Sequence, residues 1–398
     1  MRLSGWLWVA VTSVVLWRAA TAETRPQYGS TLRAATSIAP TSLEPADKAQ
    51  PESIARQNLT RLMFDTLLTM DDRGRLKPAL AVAWQASSGN QRWEFRLRRG
   101  VKFHDGSLMT AQAVAASIRA ANPEWTVVPG TDSVTIERDA PDPNVPAQLA
   151  RARNAITRRS EGGTSVGTGP FYIRDWQPGK RLSLAANEDY WNGRPFLNGI
   201  EIEFGKSGRD QIMALDLGNA DVVELPPDQT RRMNGEGKHV ASSLPLVLMT
   251  LRFSREPQSA DEGKLRRALG LSIDRTSIRN VVLQGAGEAS AAILPDWLSG
   301  YAFVFPAGQD LERARQLCSE VKQTPTWTLA YDTNDPLARL IAERVVLNAK
   351  DARLVIQVAP TSNTDLRLER IPLASLNPRV ALEAVALGAG SGNPGNSI

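Results

Sequence analysis

The feature that most constrains the fold is an alternation of strand and helix patterns late in the chain. A strand-like segment at 326–332 ("TWTLAYD") is followed by a helical pattern at 336–350 and a second strand-like segment at 352–360. A strand, a helix and a strand in this order fit a right-handed crossover that pairs the two strands in parallel. We therefore predict an α/β fold.

Similar patterns recur along the 398 residues without a repeat of 20–50 residues, so we expect two to three domains. The polar segments 158–169 and 254–264 are the expected breaks, and residues 386–398 are predicted to be a disordered tail. The remaining predicted strands are 30–37, 93–103, 168–177, 180–187 and 199–204, and the predicted helices are 51–68, 210–220, 264–282 and 311–320.

The first 22 residues read as a signal peptide. Arg2 supplies a positive start, Leu3–Trp17 is mostly apolar, and Ala20–Ala22 forms a small-x-small cleavage site. An uncleaved membrane anchor is the alternative, although the apolar run is shorter than the ~20 residues of a bilayer span. We expect cleavage near Ala22 and, because no cysteine lies there, no lipoprotein anchor.

Cys318 is the only cysteine, so an internal disulfide is excluded and folding depends on core burial. It shares one predicted helical face with Leu311, Ala314 and Leu317. We predict a buried apolar side chain and no nucleophilic role.

A literal G-x-S-x-G match places Ser165 between Gly163 and Gly167. A nucleophile elbow needs an apolar strand before the serine and a helix after it. Here the preceding segment is polar, and Gly169–Pro170 cannot open the helix. We interpret the match as chance and predict no catalytic residue.

Metal, cofactor and nucleic-acid sites find no support in the sequence. The two histidines, His104 and His239, are 135 positions apart, and no phosphate-binding loop is present. Lysine and arginine are spread along the chain, whose formal net charge is +5. We expect no metal, no cofactor and no nucleic-acid partner.

The segment "VKFHDGSLMTAQAV" at 101–114 raises the question of whether His104 and Asp105 act in chemistry or only shape a turn. Val101 and Phe103 alternate with polar residues, Asp105–Gly106 is a turn signal, and Thr110 suits a helix N-cap. We predict a strand, a tight turn and a capped helix, with ligand contact by His104 as the alternative.

The same region resembles the signature of family 5 extracellular solute-binding proteins, the exported receptors of ABC importers for oligopeptides, dipeptides and nickel chelates. Further blocks agree in the family's order: the Leu-Glu-Pro segment and helix within 41–84, the Gly-Thr-Gly-Pro and Tyr-Trp blocks within 166–204, the helix at 265–278 and the Gly-rich turn at 283–295.

The resemblance implies a two-lobed periplasmic-binding-protein type II fold with an extra domain inserted in the first lobe. Mapped onto this chain, lobe one is 25–50 and 164–250, the inserted domain is 51–163, and lobe two is 251–385. Such receptors close around a ligand, so that binding shifts an equilibrium between open and closed forms.

Five residues are expected to contact the ligand on this resemblance: Leu43, Glu44, Pro45, Ser375 and Asn377. For Glu44, a solvated loop carboxylate is the alternative. Peptide-binding relatives carry an aspartate that pairs with the peptide's α-amino group, and Ser375 replaces it here, while Asn377–Pro378 replaces Asp-Pro. Because a buried ammonium without a carboxylate is costly, we expect that a free peptide N-terminus is not the ligand or is held by another acid.

Family members usually continue about a hundred residues past the element at Ser375–Pro378, whereas this chain continues for roughly twenty. We expect either a shortened subfamily or a truncated reading frame. We expect a non-enzymatic, monomeric, periplasmic receptor that captures a peptide or peptide-like solute and delivers it to an ABC permease in the inner membrane. The alternative is a degenerate member that acts in envelope interaction or sensing without transport, and an exported hydrolase using Ser165 is a third.

Overall fold

The computed structural model describes residues 27–50, 52–87, 89–160, 165–359 and 363–389. Its strands are β1 (Thr31–Ala35), β2 (Leu68–Met70), β3 (Leu76–Pro78), β4 (Ala81–Ala86), β5 (Arg92–Leu97), β6 (Thr126–Pro129), β7 (Ser133–Glu137), β8 (Arg158–Arg159), β9 (Ser165–Val166), β10 (Phe171–Gln177), β11 (Arg181–Ala186), β12 (Gly199–Glu203), β13 (Val222–Val223), β14 (Val247–Phe253), β15 (Thr326–Ala330), β16 (Val355–Val358) and β17 (Leu366–Pro372).

The helices interleave with these strands. They are α1 (Ile54–Met63), α2 (Ala111–Ala121), α3 (Val145–Gln148), α4 (Gly208–Asp216), α5 (Thr230–Gly235), α6 (Ala260–Ser272), α7 (Arg275–Ser277), α8 (Asp296–Ser299), α9 (Leu311–Ser319), α10 (Pro336–Asp351) and α11 (Pro378–Ala389). Short 3₁₀ turns lie at Ala152–Asn154, Pro227–Gln229 and Ala302–Val304. Within the described residues, no helix is long and apolar enough to cross a bilayer.

Side-chain caps explain where several helices begin. Ser53, Thr110, Ser207, Asp310 and Asp335 each accept a hydrogen bond from a backbone amide in the first turn of the helix that follows. These amides have no partner within the helix, and short polar side chains satisfy them.

A five-stranded sheet runs in the order β10-β11-β12-β1-β13. The first three strands are antiparallel, whereas β1 pairs in parallel with both β12 and β13. Its core includes Phe171, Leu184 and Ile200, against which Met63 and Phe64 at the end of α1 pack.

A second sheet, in the order β4-β5-β7-β6, is antiparallel throughout and packs against α2. Buried and exposed side chains alternate strictly along β5. Trp93, Phe95 and Leu97 are buried, and Arg92, Glu94 and Arg96 are exposed. This sheet falls within 51–163, the range predicted for an inserted domain.

A third sheet runs in the order β14-β17-β15-β16. The parallel pairing of β15 with β16 across α10 confirms the strand–helix–strand prediction. The helices α6, α9 and α10 cover this sheet, and Cys318 on α9 is 6 % exposed, as predicted. Burial also raises the pKa of the Cys318 thiol.

The helix α11 connects two regions. Val380 is fully buried against Met70 and Ala147, and the adjacent Ala381 packs with Leu294 and Leu373. A single turn of α11 therefore contacts both the region around the second sheet and the region that follows β14.

The structure corrects three sequence predictions. The helix predicted over 264–282 is interrupted after Ser272, because Ile273 is extended and Asp274 caps the next turn, and helical structure resumes as α7 and a π-helical segment at Ile278–Val282. The strand predicted at 101–104 forms only one bridge, between Lys102 and Leu108, although Val101 and Phe103 are buried. The predicted tail starts too early, since α11 continues to residue 389. Residues 1–26, which include the predicted signal peptide, and residues 390–398 lie outside the described part.

Candidate ligand-binding cleft

A cavity of about 650 Å³ lies where elements far apart in sequence meet. It is bordered by the loop before α1, the 3₁₀ turn at Ala152–Asn154, the strands β14 and β17, and the later part of α11. Its lining residues are Ala46, Asp47, Lys48, Gln50, Glu52, Arg56, Arg151, Arg153, Leu248, Thr250, Leu251, Arg252, Ile293, Glu369, Arg370, Ile371, Pro372, Ala374, Ala384 and Val385. We refer to it as the cleft.

Arg56 on α1 positions the loop that forms one wall of the cleft. Its Nη1 donates to the Gln50 carbonyl at 2.7 Å, and its Nη2 donates to the carbonyls of Glu44, Pro45 and Asp47 at 3.0–3.1 Å. Burial lowers the pKa of the Arg56 guanidinium. The loop is thus held to the helix by one half-buried cation.

An ion pair joins two more segments of the wall. Arg151 Nε donates to Glu52 Oε2 at 3.0 Å, and the two side chains are only 12 % and 16 % exposed. The other oxygen, Glu52 Oε1, is buried and has no hydrogen-bond partner among the described residues. Because Arg151 and Glu52 are 99 positions apart, their pairing ties the loop to the 3₁₀ turn.

The opposite wall is the antiparallel pair of β14 and β17. Arg252 on β14 forms an ion pair with Glu369 on β17 at 2.8 Å. The adjacent Arg370 pairs at 2.6 Å with Asp335, the N-cap residue of α10. These pairs hold polar side chains at the cleft surface of the sheet.

A small apolar annex of about 60 Å³ adjoins the cleft. It shares Leu248, Ile293, Ile371, Pro372 and Val385 with the larger cavity. The combined space therefore offers charged groups on one side and an apolar surface on the other, as ligand sites commonly do.

Three of the predicted ligand residues lie together near the cleft, although they are not among its lining residues. Leu43 lines a neighbouring cavity of about 320 Å³. The Glu44 carboxylate accepts a hydrogen bond from Ser165 Oγ at 2.7 Å, and Pro45 is buried. Arg56 holds the loop partly by the backbone carbonyls of Glu44 and Pro45 themselves. Contact of Leu43, Glu44 and Pro45 with a ligand stays a prediction.

The other two, Ser375 and Asn377, lie at the start of α11. Ser375 is 5 % exposed and its hydroxyl accepts from the Asn377 amide at 3.1 Å. Asn377 Oδ1 in turn accepts from the Val380 amide at 3.1 Å, which caps the helix. Ser375 lines a separate cavity of about 130 Å³. The structure thus does not bring them together with Glu44, and their ligand role also stays a prediction.

The arginines of the cleft are the residues that sequence reasoning missed. Arg56, Arg151, Arg153, Arg252 and Arg370 belong to no motif and come from four separate elements. The one signal in the sequence is the arginine-rich stretch 151–159, of which only residues 158 and 159 fall in the predicted polar break at 158–169.

His104 and Ser165 have structural partners. His104 Nε2 donates to the Gly169 carbonyl at 3.0 Å, and burial lowers the pKa of the His104 ring. Asp105 pairs with Arg158 at 2.8 Å, Gly106 has a φ of 82°, and Thr110 caps α2. The predicted turn and capped helix are confirmed. No group of metal-ligating side chains occurs among the described residues.

The Ser165 region does not form a nucleophile elbow. Ser165 begins the two-residue strand β9, which pairs with β8, and Gly169–Pro170 leads into strand β10 rather than a helix. Its hydroxyl donates to Glu44 and not to a histidine. The geometry supports no acyl-transfer chemistry at this serine.

Comparison with known proteins adds a family-level finding. The model of the family 5 bacterial extracellular solute-binding proteins matches residues 75–377. The probable D,D-dipeptide-binding periplasmic protein DdpA of Escherichia coli is 24% identical over 317 residues, which cover 72% of this chain and 61% of that protein. The nickel-binding protein NikA of Staphylococcus aureus is 22% identical over 315 residues, covering 74% and 64% respectively. The chain thus spans about three-fifths of the length of these relatives.

The solved structures include similar folds. The oligopeptide-binding protein AppA of Bacillus subtilis, in complex with a nonapeptide, superposes with a TM-score of 0.74 at 20% identity, covering 89% of this chain and 81% of that one. At this identity the likeness concerns the fold alone.

Proposed function

This chain belongs to the family 5 bacterial extracellular solute-binding proteins, and on that premise we propose that it captures a peptide or peptide-like solute in the cleft and delivers it to an ABC permease in the inner membrane. Its fold is the α/β type II fold of periplasmic binding proteins. The named relatives include a dipeptide-binding and an oligopeptide-binding protein, which supports a peptide as the solute.

The observation that carries the proposal is the position of the cleft. One wall comes from α1 and the loop before it, in the predicted inserted domain and the adjoining part of lobe one. The other wall is the β14–β17 pair, which belongs to predicted lobe two except for the first residues of β14, up to residue 250. A ligand that contacts both walls stabilises the closed arrangement over the open one, and a permease can then distinguish the two. Binding of this kind requires no catalytic residue.

We further propose that the chain is exported to the periplasm by the signal peptide at 1–22, with cleavage near Ala22, and works as a monomer. The domain boundaries at 25–50 with 164–250, 51–163 and 251–385 are part of this proposal. No observation on the described residues favours the non-transporting alternative.

The test is to purify the mature protein and identify co-purifying solutes by native mass spectrometry. A thermal-shift screen with peptide pools follows, because a ligand at about 100 times its Kd adds about 2.7 kcal/mol of stability. We expect a bound solute or a shift with at least one pool. The absence of both would overturn the proposal.

A cleft-blocking variant locates the binding. Thr250→Trp places an indole on β14 inside the cleft, and we expect it to abolish the shift without lowering the melting temperature of the free protein. Val128→Trp adds the same side chain to the exposed face of β6, where Val128 is 48% exposed, and should leave the shift unchanged. Retention of the shift by Thr250→Trp would place the ligand elsewhere.

A further inference from the structure

The cleft carries an excess of positive charge. Six cationic side chains and three carboxylates line it: Lys48, Arg56, Arg151, Arg153, Arg252 and Arg370, and Asp47, Glu52 and Glu369. The excess of three charges compares with a formal net charge of +5 for all 398 residues. Asp335, which pairs with Arg370 from outside this lining, lowers the excess at the cleft to two positive charges.

Half of these cations are already neutralised. Arg151, Arg252 and Arg370 pair with Glu52, Glu369 and Asp335 at 3.0, 2.8 and 2.6 Å. The other half, which we call the unpaired cations, are Lys48, Arg56 and Arg153, and none of them makes an ion pair within the described part of the chain.

The hydrogen bonds of the unpaired cations do not supply counter-charge. Arg56 donates to four backbone carbonyls. Arg153 donates from Nη2 to the Ala121 carbonyl at 2.9 Å, while its Nε is buried without a partner among the described residues. Carbonyls satisfy N–H groups, but a cation withdrawn from water still favours a nearby anion.

The carboxylates of the cleft form no ion pair with the unpaired cations, although Asp47 and Glu52 attract the charge of Arg56 from a greater distance. Glu52 and Glu369 are held by Arg151 and Arg252. Asp47 accepts from the Ala49 amide at 2.9 Å within its own loop. A cleft with unpaired cations and low-dielectric walls concentrates anions, and guanidinium groups match carboxylates with paired hydrogen bonds.

We propose that the solute is anionic, an acidic peptide or peptide-like acid whose carboxylates face Lys48, Arg56 and Arg153. This inference rests on the proposed function and specifies the class of solute.

Three matched peptide pools test the inference by isothermal titration. Each contains free and N-acetylated tri- to pentapeptides, with the variable positions filled by Asp and Glu, by Asn and Gln, or by Lys and Arg. We expect the acidic pool to bind at least about tenfold more tightly than the amide pool, and added salt to weaken its binding.

The outcomes separate this inference from the proposed function. Equal or tighter binding of the amide or basic pool would overturn the anionic preference while leaving a solute receptor in place. Binding of none of the pools, with no co-purifying solute, would overturn the proposed function and this inference with it.

Two variants test whether the unpaired cations cause the preference for acidic peptides. Arg153→Gln and Lys48→Gln should each weaken binding of the acidic pool, roughly tenfold for Arg153→Gln, and should weaken binding of the amide pool less. Arg99→Gln makes the same change of charge at a side chain that is 85% exposed and outside the cleft, and should have no effect.

Lys48→Gln keeps the test valid if Arg153→Gln unfolds, because Lys48 is exposed. Equal loss for the acidic and amide pools in a folded Lys48→Gln or Arg153→Gln variant would overturn the role of these cations.

Discussion

Glu262 illustrates how one residue can be held by several donors. Arg255 Nη1 donates to both carboxylate oxygens at 2.9 Å, Arg266 Nη2 to one at 2.7 Å, and the Gln258 amide to the other at 2.9 Å. Burial alone would raise its pKa, but these donors outweigh burial and lower the pKa to about 2. The carboxylate therefore stabilises the start of α6 in its ionised form.

The lowered pKa of Glu262 predicts that the protein becomes less stable as the pH falls. Because the pKa of Glu262 is lower in the folded chain than its ordinary 4.5, its contribution is complete above pH 4.5 and is lost as the pH falls towards about 2. We expect Glu262→Gln to lower the free energy of unfolding by about 3 kcal/mol at neutral pH, with a difference that shrinks in acid. Urea unfolding across this pH range measures it.

The control is Glu383→Gln, which removes a pair with Arg379 whose side chains are 39% and 62% exposed. Such a surface pair contributes about 0.5 kcal/mol. Equal losses for the two variants at neutral pH would contradict the role assigned to Glu262.

Gly169 lies where two backbone segments approach too closely for a side chain. Its amide donates to the Met63 carbonyl at 3.1 Å, and a Cβ on Gly169 would lie 2.7 Å from that oxygen. The close approach joins the start of β10 to the end of α1, so a side chain here must displace backbone.

We expect Gly169→Ala to destabilise the protein by about 1–3 kcal/mol, as overpacking does. The matched variant Gly263→Ala lies inside α6, where a Cβ meets nothing within 4 Å, and should stabilise by about 0.5–1 kcal/mol. Thermal unfolding of both variants provides the measurement. An unchanged melting temperature of Gly169→Ala would contradict the close approach of the two segments.

At the scale of elements, a capping residue fixes where α11 begins, and apolar contacts fix where it packs. Asn377 caps it, and Val380 and Ala381 bury its first turn against two separate regions. Its later residues Ala384 and Val385 line the cleft. The capped start of α11 and one border of the cleft therefore lie on the same helix.

Asn377→Ala distinguishes a capping role from a ligand role. Loss of a cap costs about 1 kcal/mol, and we expect that loss with an unchanged affinity for the solute once the protein is folded. Asn377→Asp, which can still cap, should retain the stability. A fall in affinity with both variants would instead support direct ligand contact at this position.

At the scale of the whole molecule, the proposed function requires the two walls of the cleft to approach each other around the ligand. We expect the radius of gyration from small-angle X-ray scattering to fall when the solute is added, because closure makes the particle more compact. The cleft-blocking variant Thr250→Trp should show no such change. An unchanged radius in the wild-type protein at saturating solute would contradict closure.

Much of the element order was predictable because its causes are local. Residues within a few positions determine the alternating burial along β5, the cap of α2 at Thr110 and the buried face of α9 that carries Cys318. The family, too, was recognisable from ordered short blocks. Where a local pattern misled, as in the helix over 264–282, a cap at Asp274 competed with continuation of the helix.

The cleft was decided by tertiary structure. Arg56, Arg153 and Arg252 stand in unrelated sequence contexts. Only the packing of α1, the 3₁₀ turn at Ala152–Asn154, the β14–β17 pair and α11 brings them to one cavity. Asp65 makes the same point in the core, where its carboxylate accepts from Thr168, Tyr190 and Trp191, more than a hundred positions away. The sequence by itself determined the elements and the family, because propensity and capping act between neighbours. The charge of the binding site depends on convergence of distant residues, which only the folded chain specifies.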